Sequence, residues 1–218
     1  MEDKFTIDFR IPYPVFPLPH TVLLPNTLLP LHIFEGRYRK MVRDSLDSYG
    51  MVGMATFAEA VSEEEYLEGR PKLRRCVGLG HIMEYEPLED GGFRLLLQGL
   101  CATTIVREVP SHPYRRLRLE PFEEREADDV DLEALRQRLA FLVTDKVLQD
   151  AEVSQQIRAN FDKAVPTEML IDRLADAFIN DGEARYAVLE DPDPARRARR
   201  LIGHIEALKQ QTDSQSFT

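Results

Sequence analysis

The sequence has no tryptophan and only two cysteines, and no apolar run approaches the roughly 18 residues of a membrane-spanning helix. It also lacks an excess of positive charge: 38 Asp and Glu residues face 28 Lys and Arg, for a net charge of −10. Each shortage excludes something. Cys76 and Cys101 are far apart and belong to no CxxC pair, so neither a disulfide framework nor a zinc site is expected. Both are read as reduced core thiols. The start, MEDKFTIDFR, is charged and has no apolar h-region, so no signal peptide is expected and the location reads as cytoplasmic. The acidic balance holds in both halves: residues 1–127 carry 20 acidic and 16 basic side chains, and residues 128–218 carry 18 and 12. Such a balance disfavours nucleic acid and anionic membrane, both of which reward a basic face.

Catalytic signatures are missing as well. There is no phosphate-cradling GxxxxGK[ST] loop, no GxSxG and no HExxH. Gly78-Leu79-Gly80 lies inside a strand pattern and opens no helix, so it carries no nucleotide-binding expectation. His20, His32, His81, His112 and His204 are scattered at spacings that define no metal site, and His32 and His81 read as strand-face residues. Glu63-Glu64-Glu65 and Asp128-Asp129 read as solvated surface before acid–base machinery. No cofactor, metal or catalytic residue is expected.

What is present is a soluble globular composition, 43% hydrophobic and 30% charged, over 218 residues. That length holds one large domain or two small ones. Residues 1–15 read as a lead-in strand ending at Pro12 and Pro14. Val22-Leu23-Leu24 and Leu28 to Phe34 read as two buried strands around a Pro25-Asn26 turn. After Glu35-Gly36, Tyr38, Met41, Val42 and Leu46 recur at helical spacing, with Gly50 as the stop beyond Tyr49. Met51–Phe57 reads as a buried strand and Ser62–Arg75 as an exposed loop. Val77–Tyr85 and Phe93–Val106 form a hairpin across Glu89-Asp90-Gly91-Gly92, with a bulge at Gly99, and a half-solvated strand follows from Tyr114 to Pro121. From Asp128 the periodicity becomes helical. The spacing predicts a helix over Leu132–Val147 and a shorter one around Val153, Ile157 and Phe161. A third starts at Pro166 with Met169, Leu170, Leu174, Ala177 and Phe178 inward, and a fourth opens at Asp193-Pro194. The expected architecture is α+β: a small, partly closed β-barrel over residues 1–127, a helical bundle over 128–211 and a flexible tail over 212–218.

Several of these residues carry a resemblance. Phe16-Pro17-Leu18, Leu24-Pro25-Asn26 and Leu29-Pro30-Leu31-His32-Ile33-Phe34-Glu35-Gly36-Arg37-Tyr38-Arg39 resemble the opening of the amino-terminal, substrate-binding domain of the ATP-dependent Lon proteases. Asn26 stands where that family has Gly, and Gly36 where it has Pro. Asn tolerates left-handed backbone, so the turn survives the first exchange. The hairpin from Val77 to Val106 is similar to the same family, as are Leu174-Ala175-Asp176, Val188-Leu189-Glu190 and Arg200-Leu201.

The resemblance implies a PUA-like barrel, a non-catalytic binding module and polypeptide partners: an unfolded or degron-bearing segment, or a protease or chaperone. A peptide could lie in a groove at the junction of barrel and bundle, or add as a strand to an open edge. His32, Glu35, Arg37 and Tyr38 are the expected contact residues, as those the core does not need. The alternative is a PUA-like domain binding RNA or a small molecule, suggested by Arg115-Arg116-Arg118 and by Arg196-Arg197 with Arg199-Arg200. A pI near 5.1 and the lack of interleaved aromatics weigh against it, and salt bridges are the favoured use of those arginines.

Overall fold

The computed structural model describes residues 6–110, 113–125, 132–147, 161 and 164–215. The chain separates into two compact units, Met1–Phe122 and Glu123–Thr218.

The first unit is one six-stranded sheet with two helices. In chain order it runs β1 (Pro12–Pro17), β2 (Leu28–Ile33), α1 (Gly36–Leu46), β3 (Met51–Ala55), α2 (Glu63–Glu68), β4 (Cys76–Pro87), β5 (Phe93–Val109) and β6 (Arg115–Pro121). The strand order is β2-β5-β4-β3-β1-β6, and β6 also pairs with β5. The long β5 takes β2 on its first half, Phe93 to Gln98, and β6 on its second, Thr103 to Val109. The sheet therefore curls back on itself without closing every edge. β1 is staggered in the same way, pairing residues 12–15 with β6 and 15–17 with β3. Pro12 and Pro14 thus lie inside the strand and do not end it.

Both faces of the sheet are buried along most of β1, all of β3 and the first half of β4, up to Ile82, which is why those stretches read as nearly continuous apolar runs. Phe16, Val52, Met54 and Ile82 pack with Tyr38, Met41 and Val42 of α1. Tyr13, Val15, Met51, Val77 and Leu79 form a second cluster with Leu117 and Leu119.

Val22-Leu23-Leu24 is buried but forms no strand. It crosses the sheet where glycines make room. A Cβ on Gly78 would stand 2.1 Å from the Leu23 carbonyl oxygen, and one on Gly99 would stand 2.0 Å from that of Leu24. The glycines read from sequence as strand and bulge positions are therefore the floor under this segment. The pairing steps from Leu79↔Cys101 to Gly80↔Gly99, which leaves Leu100 as the extra residue and puts the expected bulge on β5 beside Gly99. The segment ends in a turn with Asn26 at φ 61°, the left-handed conformation anticipated for Asn in place of Gly.

The stretch from Ser62 is not all loop. Ser62 accepts from the Glu65 amide while the Glu65 carboxylate accepts from the Ser62 amide, a reciprocal cap that starts α2.

The second unit contains α3 (Leu132–Val147), α4 (Thr167–Phe178), α5 (Gly182–Leu189) and α6 (Pro194–Gln215). Leu139, Leu142 and Val143 of α3 are buried with Leu170, Ile171 and Leu174 of α4 and Ala198, Leu201 and Ile205 of α6. On α4 the buried face includes Ala175, whereas Ala177 is exposed, so the face is rotated from the expected one. α5 has no counterpart among the expected helices. Asp181 caps it by accepting from the Ala184 amide at 2.8 Å. α6 opens as expected, with Asp193 accepting from the Ala195 and Arg196 amides. It runs to Gln215, into the stretch read as a tail. The helix expected around Val153 and Ile157 lies outside the described residues.

Candidate functional site

The expected contact residues fall into two places. Glu35, Arg37 and Tyr38 meet where β2 hands over to α1. Glu35 is the N-cap residue of α1 but makes no side-chain capping bond. Its carboxylate is engaged elsewhere: one oxygen accepts from Arg37 Nε at 2.9 Å and the other from the Tyr66 hydroxyl of α2 at 2.7 Å. Arg37 Nη1 donates to the Tyr66 and Leu67 carbonyls at 2.9 and 3.4 Å, at the C-terminal end of α2, where a cation complements the helix dipole. Its guanidinium lies between two tyrosine rings, 4.7 Å from the Tyr38 centroid and 4.6 Å from that of Tyr66. Tyr38 is a core residue, contrary to expectation. It follows the helical spacing of Met41 and Val42 and packs on Phe16 at 4.3 Å. Burial raises the Tyr38 and Tyr66 phenols, and the bond to Glu35 raises Tyr66 further, so both stay protonated.

Beside this cluster lies a cleft of about 50 Å³, lined by Arg37, Arg70 and Arg115 and by Tyr38, Tyr66 and Tyr114. Arg70 and Arg115 both pair with Glu108 at 2.7 Å. Arg115 Nη1 also donates to the Pro71 carbonyl at 2.6 Å. Tyr114 donates to Asp44 at 2.8 Å; burial and that carboxylate push its phenol up to about 12. Arg70, Tyr66, Tyr114 and Arg115 were not foreseen as a group. They come from separate segments whose spacing carries no sign of convergence. The Ser62-x-x-Glu65 pattern was the one available hint that Tyr66 sits on a helix.

His32 stands apart, on β2. Among the described strands β2 pairs with β5 alone, in the register Leu28↔Gln98 to Ile33↔Phe93. The Gly99 amide donates to Thr27, which continues that register. In an antiparallel ladder the alternation then turns the backbone groups of Leu28, Pro30 and His32 outward. Pro30 has no donor to present there, which blunts the edge. The outer side of β2, β5 and β4 carries a groove of about 610 Å³, lined by Pro30, His32, Glu84, Glu86, Arg94 and Leu96 among others. Arg94 and Glu86 pair across it at 3.0 Å. Large apolar side chains are exposed on these strands and just beyond them: Leu28, Phe34, Met83 and Tyr85, with Phe34 65% exposed. The His32 and Phe34 rings are 6.0 Å apart.

Four of the seven arginines weighed for nucleic acid are ion-paired, while Arg116 and Arg118 donate to the Pro12 and Arg10 carbonyls. Arg115 holds Glu108, Arg196 and Arg200 hold Asp191, and Arg197 holds Glu124. Burial pushes the Cys101 thiol up to about 11, so it is a poor nucleophile, and neither cysteine is in a disulfide. Among the described residues no group of three or more His, Cys, Asp or Glu could hold a metal, and no helix is long and apolar enough to cross a membrane.

The described residues thus hold a curled six-stranded sheet with a groove outside β2, β5 and β4, and a separate helical unit. The chain belongs to the family of the ATP-dependent protease La (LON) substrate-binding domain, whose family model matches residues 12–207. It is 27% identical to the Lon protease of Chloroflexus aggregans over 94% of this chain and 25% of that protein. It is also 27% identical to that of Syntrophus aciditrophicus, over 88% of this chain and 25% of the relative. The chain thus spans about a quarter of the length of these relatives. In structure it is similar to the N-terminal domain of Mycobacterium avium complex Lon protease, with TM-score 0.69 and 17% identity over 90% of this chain and 98% of that one. The Lon N-terminal domain protein from Xanthomonas campestris aligns with TM-score 0.58 and 24% identity, over 88% of this chain and 98% of that one. These likenesses bear out the α+β fold and the family that the opening stretch resembles.

Proposed function

We propose that this chain is a recognition module for polypeptide, binding unfolded or degron-bearing segments, or a protease or chaperone that handles them. The family match over residues 12–207 is the observation that carries this reading. The groove outside β2, β5 and β4 is the proposed contact surface. Tyr85 and Leu96 supply apolar area in the groove, His32, Glu84 and Arg94 supply polar contacts, and the exposed Leu28, Phe34 and Met83 on or next to the same strands extend the proposed surface. Glu35 and Arg37 shape the neighbouring end of α1, with Tyr38 as their support. Because Pro30 blunts the β2 edge, side-chain contacts in the groove are favoured over simple strand addition.

A labelled, permanently unfolded polypeptide tests the reading by fluorescence anisotropy. Binding in the micromolar range is expected. Phe34→Ser removes one large apolar contact and is expected to weaken binding about tenfold or more, given about 1.5–3 kcal/mol for a buried aromatic. No binding by the folded wild-type chain, across several unrelated unfolded polypeptides, defeats the reading.

A further inference from the structure

We propose that the groove outside β2, β5 and β4 selects extended apolar segments that carry a lysine or arginine among the apolar residues. This names the class of segment for the surface proposed above, and so rests on the polypeptide-binding reading. Directly opposed residues of neighbouring strands share a face of the sheet. Pro30, Leu96 and Glu84 therefore form one row across the three strands, and His32, Arg94 and Glu86 form the next. Phe93, Leu95 and Leu97 alternate with Arg94 and Leu96 and are buried, so both rows stand on the outer face. Leu28, two residues before Pro30, lies on that face and is 53% exposed.

Charge divides the two rows. The charged side chains lining the groove, histidine aside, are Glu84, Glu86 and Arg94. Arg94 is held by Glu86 within its own row at 3.0 Å. The Glu84 side chain has no hydrogen-bond or ion-pair partner among the described residues. One carboxylate is thus left over, at the end of the row that begins with Pro30 and Leu96. A basic side chain answers it, whereas an acidic one meets it without relief from Arg94. The spacing fits a single segment. Neighbouring strands lie about 4.8 Å apart, so an apolar side chain seated between Pro30 and Leu96 stands about 7 Å from the Glu84 position. Two residues of extended chain advance about 6.6 Å, which brings the next side chain on the same side over Glu84. The net charge of −10 also draws basic segments towards the protein at low salt.

The test is fluorescence anisotropy of the full chain with three labelled peptides, Ser-Leu-Ser-Leu-Ser-X-Ser, capped at both ends, in which X is Lys, Gln or Glu. An exposed ion pair is weak, so at low salt the lysine peptide is expected to bind about threefold tighter than the glutamine peptide, and the glutamate peptide about threefold weaker. At about 0.5 M sodium chloride the three are expected to converge, because screening removes the charge contribution and leaves the apolar contact. Glu84→Gln is expected to bring the lysine and glutamine peptides together at low salt, with the glutamine peptide's affinity and the melting temperature unchanged. Glu59→Gln, at an exposed position outside the groove, changes the net charge equally and is expected to keep the preference. Equal binding of the three peptides at low salt, a preference that survives Glu84→Gln, or its loss in Glu59→Gln as well overturns the selection. If unfolded polypeptide binds while the three peptides bind alike, this proposal fails and the proposed function stands. If neither the peptides nor unfolded polypeptide binds, both fail.

Discussion

Single residues decide how the sheet is floored. At Gly78 and Gly99 any side chain meets the backbone of Leu23 or Leu24, at 2.1 and 2.0 Å. Backbone cannot step aside as a flexible side chain can, so Gly78→Ala and Gly99→Ala are each expected to cost about 3 kcal/mol or more. Gly203, in α6, has nothing within 4 Å of an added Cβ. There the same substitution is expected to stabilise by about 0.5–1 kcal/mol, through helix propensity and a less flexible unfolded chain. Thermal and urea unfolding of the three variants check the contrast. The sequence placed Gly78 within a strand and Gly99 at a bulge but could not say what lay across them, because the crossing segment is distant in the chain.

His81 gives a pH signature at the same scale. Burial holds its imidazole below the ordinary value of 6.5. The unfolded chain therefore takes up a proton at higher pH than the folded chain does. Stability is full above 6.5 and falls as the pH drops through 6.5 towards the depressed folded value, then levels off. In His81→Gln the acid-side decline in melting temperature between neutral pH and about pH 5 is expected to be shallower. Equal slopes for the two proteins would remove His81 from the account.

At the scale of elements, α2 shows how a short helix can be fixed by its ends. Ser62 and Glu65 close its N-terminus, and Arg37 holds the carbonyls at its C-terminus. Ser62→Ala is expected to cost about 1 kcal/mol, read as faster hydrogen exchange at Glu65 and Tyr66 with the sheet amides unchanged. The helical unit has a harsher fixture. Arg197 of α6 is buried, 3.6 Å from buried Asp172 of α4 and 2.8 Å from Glu124. Arg197→Met removes the cation facing that buried carboxylate, and a loss of about 3–5 kcal/mol by urea denaturation is expected.

Helices such as α3 and α6 were legible in advance because burial repeats at their own period, and the β4–β5 hairpin because Glu89-Asp90-Gly91-Gly92 marks its turn. The short ones were not. α2 is too charged to show an apolar face, and α5 packs eight residues between loops with little amphipathic contrast. The proline-bearing β1 escaped because staggered pairing, invisible in the sequence, lets Pro12 and Pro14 sit within it.

At the scale of the molecule, the α+β architecture and the family were both readable from Phe16 to Arg39, where prolines and apolar residues alternate in a fixed order. The candidate site was readable only in fragments. His32, Glu35, Arg37 and Tyr38 were singled out as residues the core does not need, and that logic misplaced the buried Tyr38. Tyr66, which bonds Glu35 and Arg37, and Arg70 and Arg115, which line the same cleft, are brought in by tertiary structure alone.

The central claim is that this chain recognises polypeptide on the outer surface of β2, β5 and β4. Hydrogen exchange of the full chain, with and without a saturating unfolded polypeptide, tests it most directly. The account predicts slowed exchange confined to residues 28–34 and 83–96, and loss of that protection in Phe34→Ser. Unchanged exchange over both segments while the polypeptide is bound would contradict it.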